Sequence, residues 1–150
     1  MKALFLHGLS SDGSMKTGFI RSLGYDVMVP KLSDWSFKRA LQSAQDALDQ
    51  FDPNVIVGSS RGGAVAMSIE ADTPLVLLAP AWRICGVKPE LRTTSVVIHC
   101  PWDNMVSIFD SRELCERNRD SQLIEVGEDH RLNDDAARCA LTAALASVLQ

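Results

Sequence analysis

Residues 55–63, Val-Ile-Val-Gly-Ser-Ser-Arg-Gly-Gly, constrain the chain more than any other stretch. Three successive β-branched residues read as a strand buried on both faces. Gly58 ends the run, Ser60 follows two positions later, and Gly62 and Gly63 open a segment of helical character. A strand that passes into a helix through so few residues needs a very tight turn, with Ser60 at its apex. Gly58 and Gly62 flank that apex, where a Cβ would strike the crossing backbone. Gly63, Ala64 and Ala66 let the helix lie close to the strand.

The rest of the chain repeats the alternation. Apolar runs at 3–7, 25–29, 74–79 and 95–100 read as strands, and 122–126 as a last, more polar strand nearer a sheet edge. Between them lie helical stretches at 15–23, 37–51, 62–70 and 106–117, with an alanine-rich helix at 134–149. The most amphipathic is 37–51, where Phe37, Ala40, Leu41, Ala44, Leu48 and Phe51 recur at helical spacing. Ser33 or Asp34 is the expected cap of that helix. Residues 80–94 form the longest irregular segment. Strands alternating with helices, and central strands apolar throughout, predict a doubly wound, mostly parallel six-stranded sheet with helices on both faces. Its 150 residues suffice for one domain, 1–150, with a sizeable core.

Composition narrows the partners. The formal net charge is −4, without a basic cluster, which argues against nucleic acid. No apolar run is long enough to span a bilayer, and the run at the N-terminus stops at His7, short of a signal sequence. Cys85, Cys100, Cys115 and Cys139 show no CxxC pairing, so reduced thiols in the cytoplasm are expected rather than disulfides or a zinc site. Neither metal nor organic cofactor is implied. The oligomeric state is not legible.

Ligands of an open parallel sheet bind outside the carboxyl ends of its strands. Three loops at that edge carry Ser60, Asp103 and His130. A serine hydroxyl needs a base, histidine is suited to that role, and a carboxylate fixes the tautomer of the histidine. Ser60 is thus the expected nucleophile, His130 the base and Asp103 its orienter. Asp129 is a rival acid, but a residue adjacent to the histidine points elsewhere. His7 reads as structural, donating to backbone, and His99 as a support for the acid loop. Cys100 reads as a buried thiol. An oxyanion would form at the helix N-terminus, held by the backbone amides of Arg61 and of Leu9, just past His7-Gly8. Trp82 and Trp102 are expected to line the substrate pocket. Met15, Met28 and Met105 read as packing.

Gly58-Ser59-Ser60-Arg61-Gly62, His7-Gly8 after the first strand, 99–106 around Asp103, and Asp129-His130 together resemble the α/β-hydrolase superfamily. The resemblance covers nearly the whole chain. It is closest to small, lidless bacterial esterase-like members, which lack the first two of the usual eight strands and carry no cap domain. It implies the order nucleophile elbow, acid loop, histidine loop. Two positions depart from the acid loop His-Gly-x-x-Asp-x-x-Val-Pro: Cys100 stands at the glycine and Ser107 at the proline. Arg61, beside the nucleophile, offers a guanidinium to a carboxylate or phosphate of the substrate. The expected activity is hydrolysis of a carboxylic ester or thioester with a small-to-medium acyl group, as a small-molecule substrate in an open cleft. The alternatives are amide or peptide cleavage by the same residues, and a binding protein of this fold without turnover.

Overall fold

The computed structural model describes residues 1–9 and 11–150. Among these residues the elements run β1 (Lys2–Leu6), α1 (Ser14–Ser22), β2 (Asp26–Met28), α2 (Phe37–Phe51), β3 (Val55–Ser59), α3 (Arg61–Ser68), β4 (Leu75–Leu78), β5 (Ser95–His99), α4 (Ile108–Arg117), β6 (Ser121–Glu125) and α5 (Asp135–Val148). The strands form one six-stranded sheet in the order β2-β1-β3-β4-β5-β6. All five pairings are parallel.

Successive strand residues face opposite sides, so continuously apolar strands feed two cores. Ala3, Phe5, Val55, Val57, Val76 and Ile98 pack with Ile20 of α1 and Leu141 and Leu145 of α5. Leu4, Leu6, Ile56, Leu75, Leu77 and Val97 pack with Ala40, Ala44 and Leu48 of α2, Val65 of α3 and Leu114 of α4. Each large apolar side chain buried this way stabilises the fold by about 1.5–3 kcal/mol. β6 is the polar edge strand foreseen, with Ser121, Gln122 and Glu125 among its five residues.

Small departures from the expected boundaries have local causes. Ser36, not Ser33 or Asp34, caps α2, its Oγ accepting from the Arg39 amide at 3.1 Å. The helix begins at Phe37, and only the residue before it reaches the third helical amide. The Ser33 hydroxyl instead accepts from the Trp35 and Ser36 amides at 3.3 and 3.1 Å and so turns the incoming loop. Helix α4 begins at Ile108 rather than 106, because the Ser107 hydroxyl accepts from the Phe109 amide at 3.2 Å. Residues 80–94 are irregular as expected, yet anchored: Trp82 is buried, with Val87 and Leu91 packed on the α2–α4 core.

The order of the strands sets the place of the site. From β1 the chain moves outward to β2, then returns to the other side of β1 with β3. The loops after β1 and β3 therefore leave in opposite directions and open a crevice at the carboxyl edge. Backbone segments approach closely here. A Cβ added at Gly62 would stand 2.0 Å from the Leu6 carbonyl oxygen and 2.6 Å from that of His7. At Gly58 it would meet the Gly62 oxygen at 2.7 Å. By contrast, a Cβ at Gly18 in α1 meets nothing within 4 Å. Urea denaturation should show Gly62→Ala losing about 3 kcal/mol or more. Gly18→Ala should gain about 0.5–1 kcal/mol from helix propensity.

Candidate active site

Ser60 links β3 to α3 in a backbone conformation that side chains rarely adopt, φ 55° and ψ −117°. Such a residue costs about 1–3 kcal/mol and persists only where its surroundings hold it. Its own amide donates to the Leu78 carbonyl at 2.8 Å. Its carbonyl accepts from the amides of Gly63, Ala64 and Ala81 at 2.9, 3.3 and 2.9 Å. Bonds to β4, α3 and the loop beyond β4 thus fix the turn and leave the side chain projecting into the cleft.

The His130 loop, after β6, reaches back to this point. His130 Nε2 lies 3.1 Å from Ser60 Oγ, and Nδ1 lies 2.6 Å from Asp103 Oδ2. Facing a carboxylate, Nδ1 carries the proton, so the Nε2 lone pair meets the serine hydroxyl. Asp103 Oδ1 accepts from the Met105 and Val106 amides at 2.8 and 2.9 Å. The Asp103 side chain is fully buried. Burial pushes its carboxyl up, but the Val106 amide, His130 and the Met105 amide together outweigh this and hold it below the ordinary 3.8. A carboxylate that stays ionised is what an imidazolium needs as its partner.

A fourth donor comes from His99, whose Nε2 lies 3.2 Å from Asp103 Oδ2 and 2.9 Å from the Val106 carbonyl. With two acceptors before it, Nε2 carries the proton. Nδ1 then accepts from the Ser111 hydroxyl at 2.6 Å. Ser111, on α4, went unnoticed in the sequence, where nothing ties it to His99 twelve residues earlier. Cys100 joins the acid and histidine loops. Its thiol donates to the Gly127 carbonyl at 3.3 Å and accepts from the Trp102 amide at 3.4 Å.

The remaining candidates divide. Asp129 turns away from His130, its Oδ1 accepting from the Arg131 amide at 2.9 Å. His7 Nδ1 donates to the Gly8 carbonyl at 2.8 Å, and Nε2 accepts from the Leu32 amide at 3.2 Å, so among the described residues this ring is held by backbone. The loop after β1 crosses directly over Ser60, with a Cβ at Gly8 coming to 3.4 Å of the Ser60 Cβ. Among the described residues, neither the Leu9 nor the Arg61 amide donates to a backbone carbonyl. Both residues line the cleft, an open cavity of about 1290 Å³.

Trp82 and Trp102 do not line it. Trp82 is 3% exposed, and its indole donates to the Asp110 carbonyl at 3.1 Å. Burial with a satisfied N–H makes it an anchor for 80–94 rather than a pocket wall. Trp102 is 80% exposed, outward beside the acid loop. The apolar walls of the cleft include Leu9, Ile84 and Met105 on loops and Met15 in the first turn of α1, all exposed. Aromatic residues drew the sequence reading, and aliphatic neighbours took the role. Among the described residues no cluster of three or more His, Cys, Asp or Glu could hold a metal ion. Nor is any helix of theirs long and apolar enough to cross a membrane.

No family model matches the chain, and no curated protein does. Solved structures do. The predicted CIB-like hydrolase of Thermoplasma acidophilum superposes with a TM-score of 0.77 over 99% of this chain and 86% of its own, at 19% identity. The esterase EaEST of Exiguobacterium antarcticum gives 0.78 over 99% and 91%, at 13% identity. A protein of Xanthomonas campestris pv. campestris, assigned to the hydrolases of the alpha/beta superfamily, gives 0.69 over 99% and 98%, at 20% identity. At such identities the likeness is one of fold: the chain has the α/β-hydrolase fold, in a six-stranded form.

His99 gives the site a pH signature. Burial holds its imidazole below the ordinary 6.5, and the Val106 carbonyl and Asp103 offset only part of this. The unfolded chain thus takes up a proton that the folded protein refuses. This stability is present in full above 6.5 and is lost as pH falls from 6.5 toward the lowered folded value. Asp103 adds a loss of the same sign, in the lower window below 3.8. Urea midpoints measured from pH 7.5 to 5 should fall in the wild type. The same series should be flatter in His99→Gln, whatever the absolute stability of that variant.

Proposed function

We propose that the chain is a serine hydrolase cleaving a carboxylic ester or thioester of a small-to-medium acyl group. The observation that carries this reading is the hydrogen-bonded line from Ser60 Oγ through His130 to Asp103, at 3.1 and 2.6 Å, on a strained turn. A hydroxyl facing an unprotonated imidazole nitrogen can be deprotonated as it attacks, and a buried carboxylate behind the ring stabilises the charge that results.

In this mechanism Ser60 Oγ adds to the carbonyl carbon while its proton passes to His130 Nε2. The carbonyl oxygen becomes an oxyanion, held by the Leu9 amide of the loop after β1 and the Arg61 amide at the N-terminus of α3. Each such donor is worth about 3–4 kcal/mol to the transition state. Collapse expels the alcohol or thiol, which leaves with the proton from His130. Water, deprotonated by the same nitrogen, then releases the acid and restores the serine. Fold neighbours named as esterases and hydrolases support the choice of reaction. An open cleft suits a small substrate reached from solvent. The four free cysteines support a cytoplasmic location.

Ester turnover tests the reading. Ser60→Ala should lower kcat/KM for short-chain esters by about 10⁴-fold or more, with the thermal midpoint not reduced. Asp103→Asn should lower kcat by about 10⁴-fold, since an amide can hold the imidazole in the wrong tautomer. Wild-type rates in the Ser60→Ala protein would contradict the mechanism.

A further inference from the structure

We infer that the substrate cleaved at Ser60 carries a carboxylate on its acyl part, bound by the Arg61 guanidinium. This inference rests on the serine-hydrolase reading and names the substrate class that the reading leaves open.

Arg61 is only 9% exposed, the first residue of α3 and the immediate neighbour of Ser60. Its guanidinium lies 5.7 Å from the centre of the Phe37 ring, which holds the planar group from one side. Other arginines here find carboxylates: Arg83 pairs with Asp110 and Glu113, and Arg112 with Glu125. Among the described residues Arg61 joins no such pair and donates no hydrogen bond to the protein. Yet no fully buried side-chain nitrogen or oxygen among them lacks a partner. The guanidinium nitrogens therefore keep their small remaining contact with solvent, and the residue lines the cleft. A cation taken largely out of water without a counterion is costly. The missing counterion is expected to arrive with the ligand.

The charges around the cleft favour one negative charge rather than two. Lys16 is committed to the Arg131 carbonyl and to Asn133 Oδ1. Lys31 and Arg131 are exposed at the rim, and the carboxylates of Asp12 and Asp34 line the same cleft. A phosphate dianion would face these carboxylates with little compensation. A carboxylate matches the guanidinium fork oxygen for nitrogen.

Position assigns the anion to the acyl side. The stretch just past His130 meets α1, where Lys16 bonds the Arg131 carbonyl and Asn133, so in this reading the alcohol, which takes its proton from His130, leaves on the α1 side. Arg61 lies toward α2, against Phe37. The reaction is the hydrolysis of a dicarboxylic half-ester. The acyl C–O bond breaks and the alcohol leaves with a proton. Hydroxide from water completes the second carboxyl group, which ionises to give the dicarboxylate.

The test compares monoethyl glutarate with its uncharged isostere, ethyl 5-oxohexanoate. In the wild type kcat/KM should favour the anionic ester by about tenfold or more. In Arg61→Met the preference should vanish or reverse, and Arg61→Lys should fall between. Because the two esters are compared within each protein, any general loss of activity cancels. A wild-type ratio of one or less, or an unchanged ratio in Arg61→Met, would overturn the inference. Calorimetric titration with glutarate separates the two readings. Binding that is lost in Arg61→Met, without hydrolysis of either ester, would support the Arg61 site and sink the hydrolase reading. Hydrolysis of the neutral ester, with neither preference for the anion nor glutarate binding, would do the reverse.

Discussion

The backbone of Ser60 is the constraint on which the rest depends. Its positive φ is unfavourable in isolation, and it is held by hydrogen bonds from one residue to β4, α3 and the loop beyond β4. Those bonds form only if α3 starts hard against β1, and that contact leaves no room for a Cβ at Gly62. Packing energy from the two apolar cores is what stabilises this close approach against the strain. A turn of this kind is rigid because everything around it is already in contact.

Rigidity at one point then organises the electrostatics. The carboxyl edge of the sheet gathers loops from β1, β3, β5 and β6, and each contributes one polar function. Asp103 is kept ionised in a buried place by four donors: two amides and two imidazoles. The same donors fix which nitrogen of His130 faces Ser60. His99 and Ser111 extend the network down to α4, so the acid loop is positioned from beneath as well as from its own backbone.

Much of this was legible in the sequence, for identifiable reasons. Strands buried on both faces announce themselves as unbroken apolar runs, and β1, β3, β4 and β5 all do so. Ser60, Asp103 and His130 stand out because each follows a different strand and supplies a different chemical role. Partnerships that depend on three-dimensional approach were not legible. Nothing in the order of residues places Ser111 under His99. Trp82 had a side chain fit for either a pocket or a core, and only the Asp110 carbonyl waiting for its N–H decides between them. Arg61 stood out as a guanidinium offered to a substrate anion, but that it joins no ion pair among the described residues is a property of space alone.

The most direct test of the account is covalent. The protein would be incubated with a fluorophosphonate, digested, and the modified residue located by mass spectrometry. A single adduct on Ser60, absent from the Ser60→Ala variant, is the predicted result. No adduct on the folded wild-type protein, or an adduct on another residue, would contradict the assignment of this turn as the seat of the chemistry.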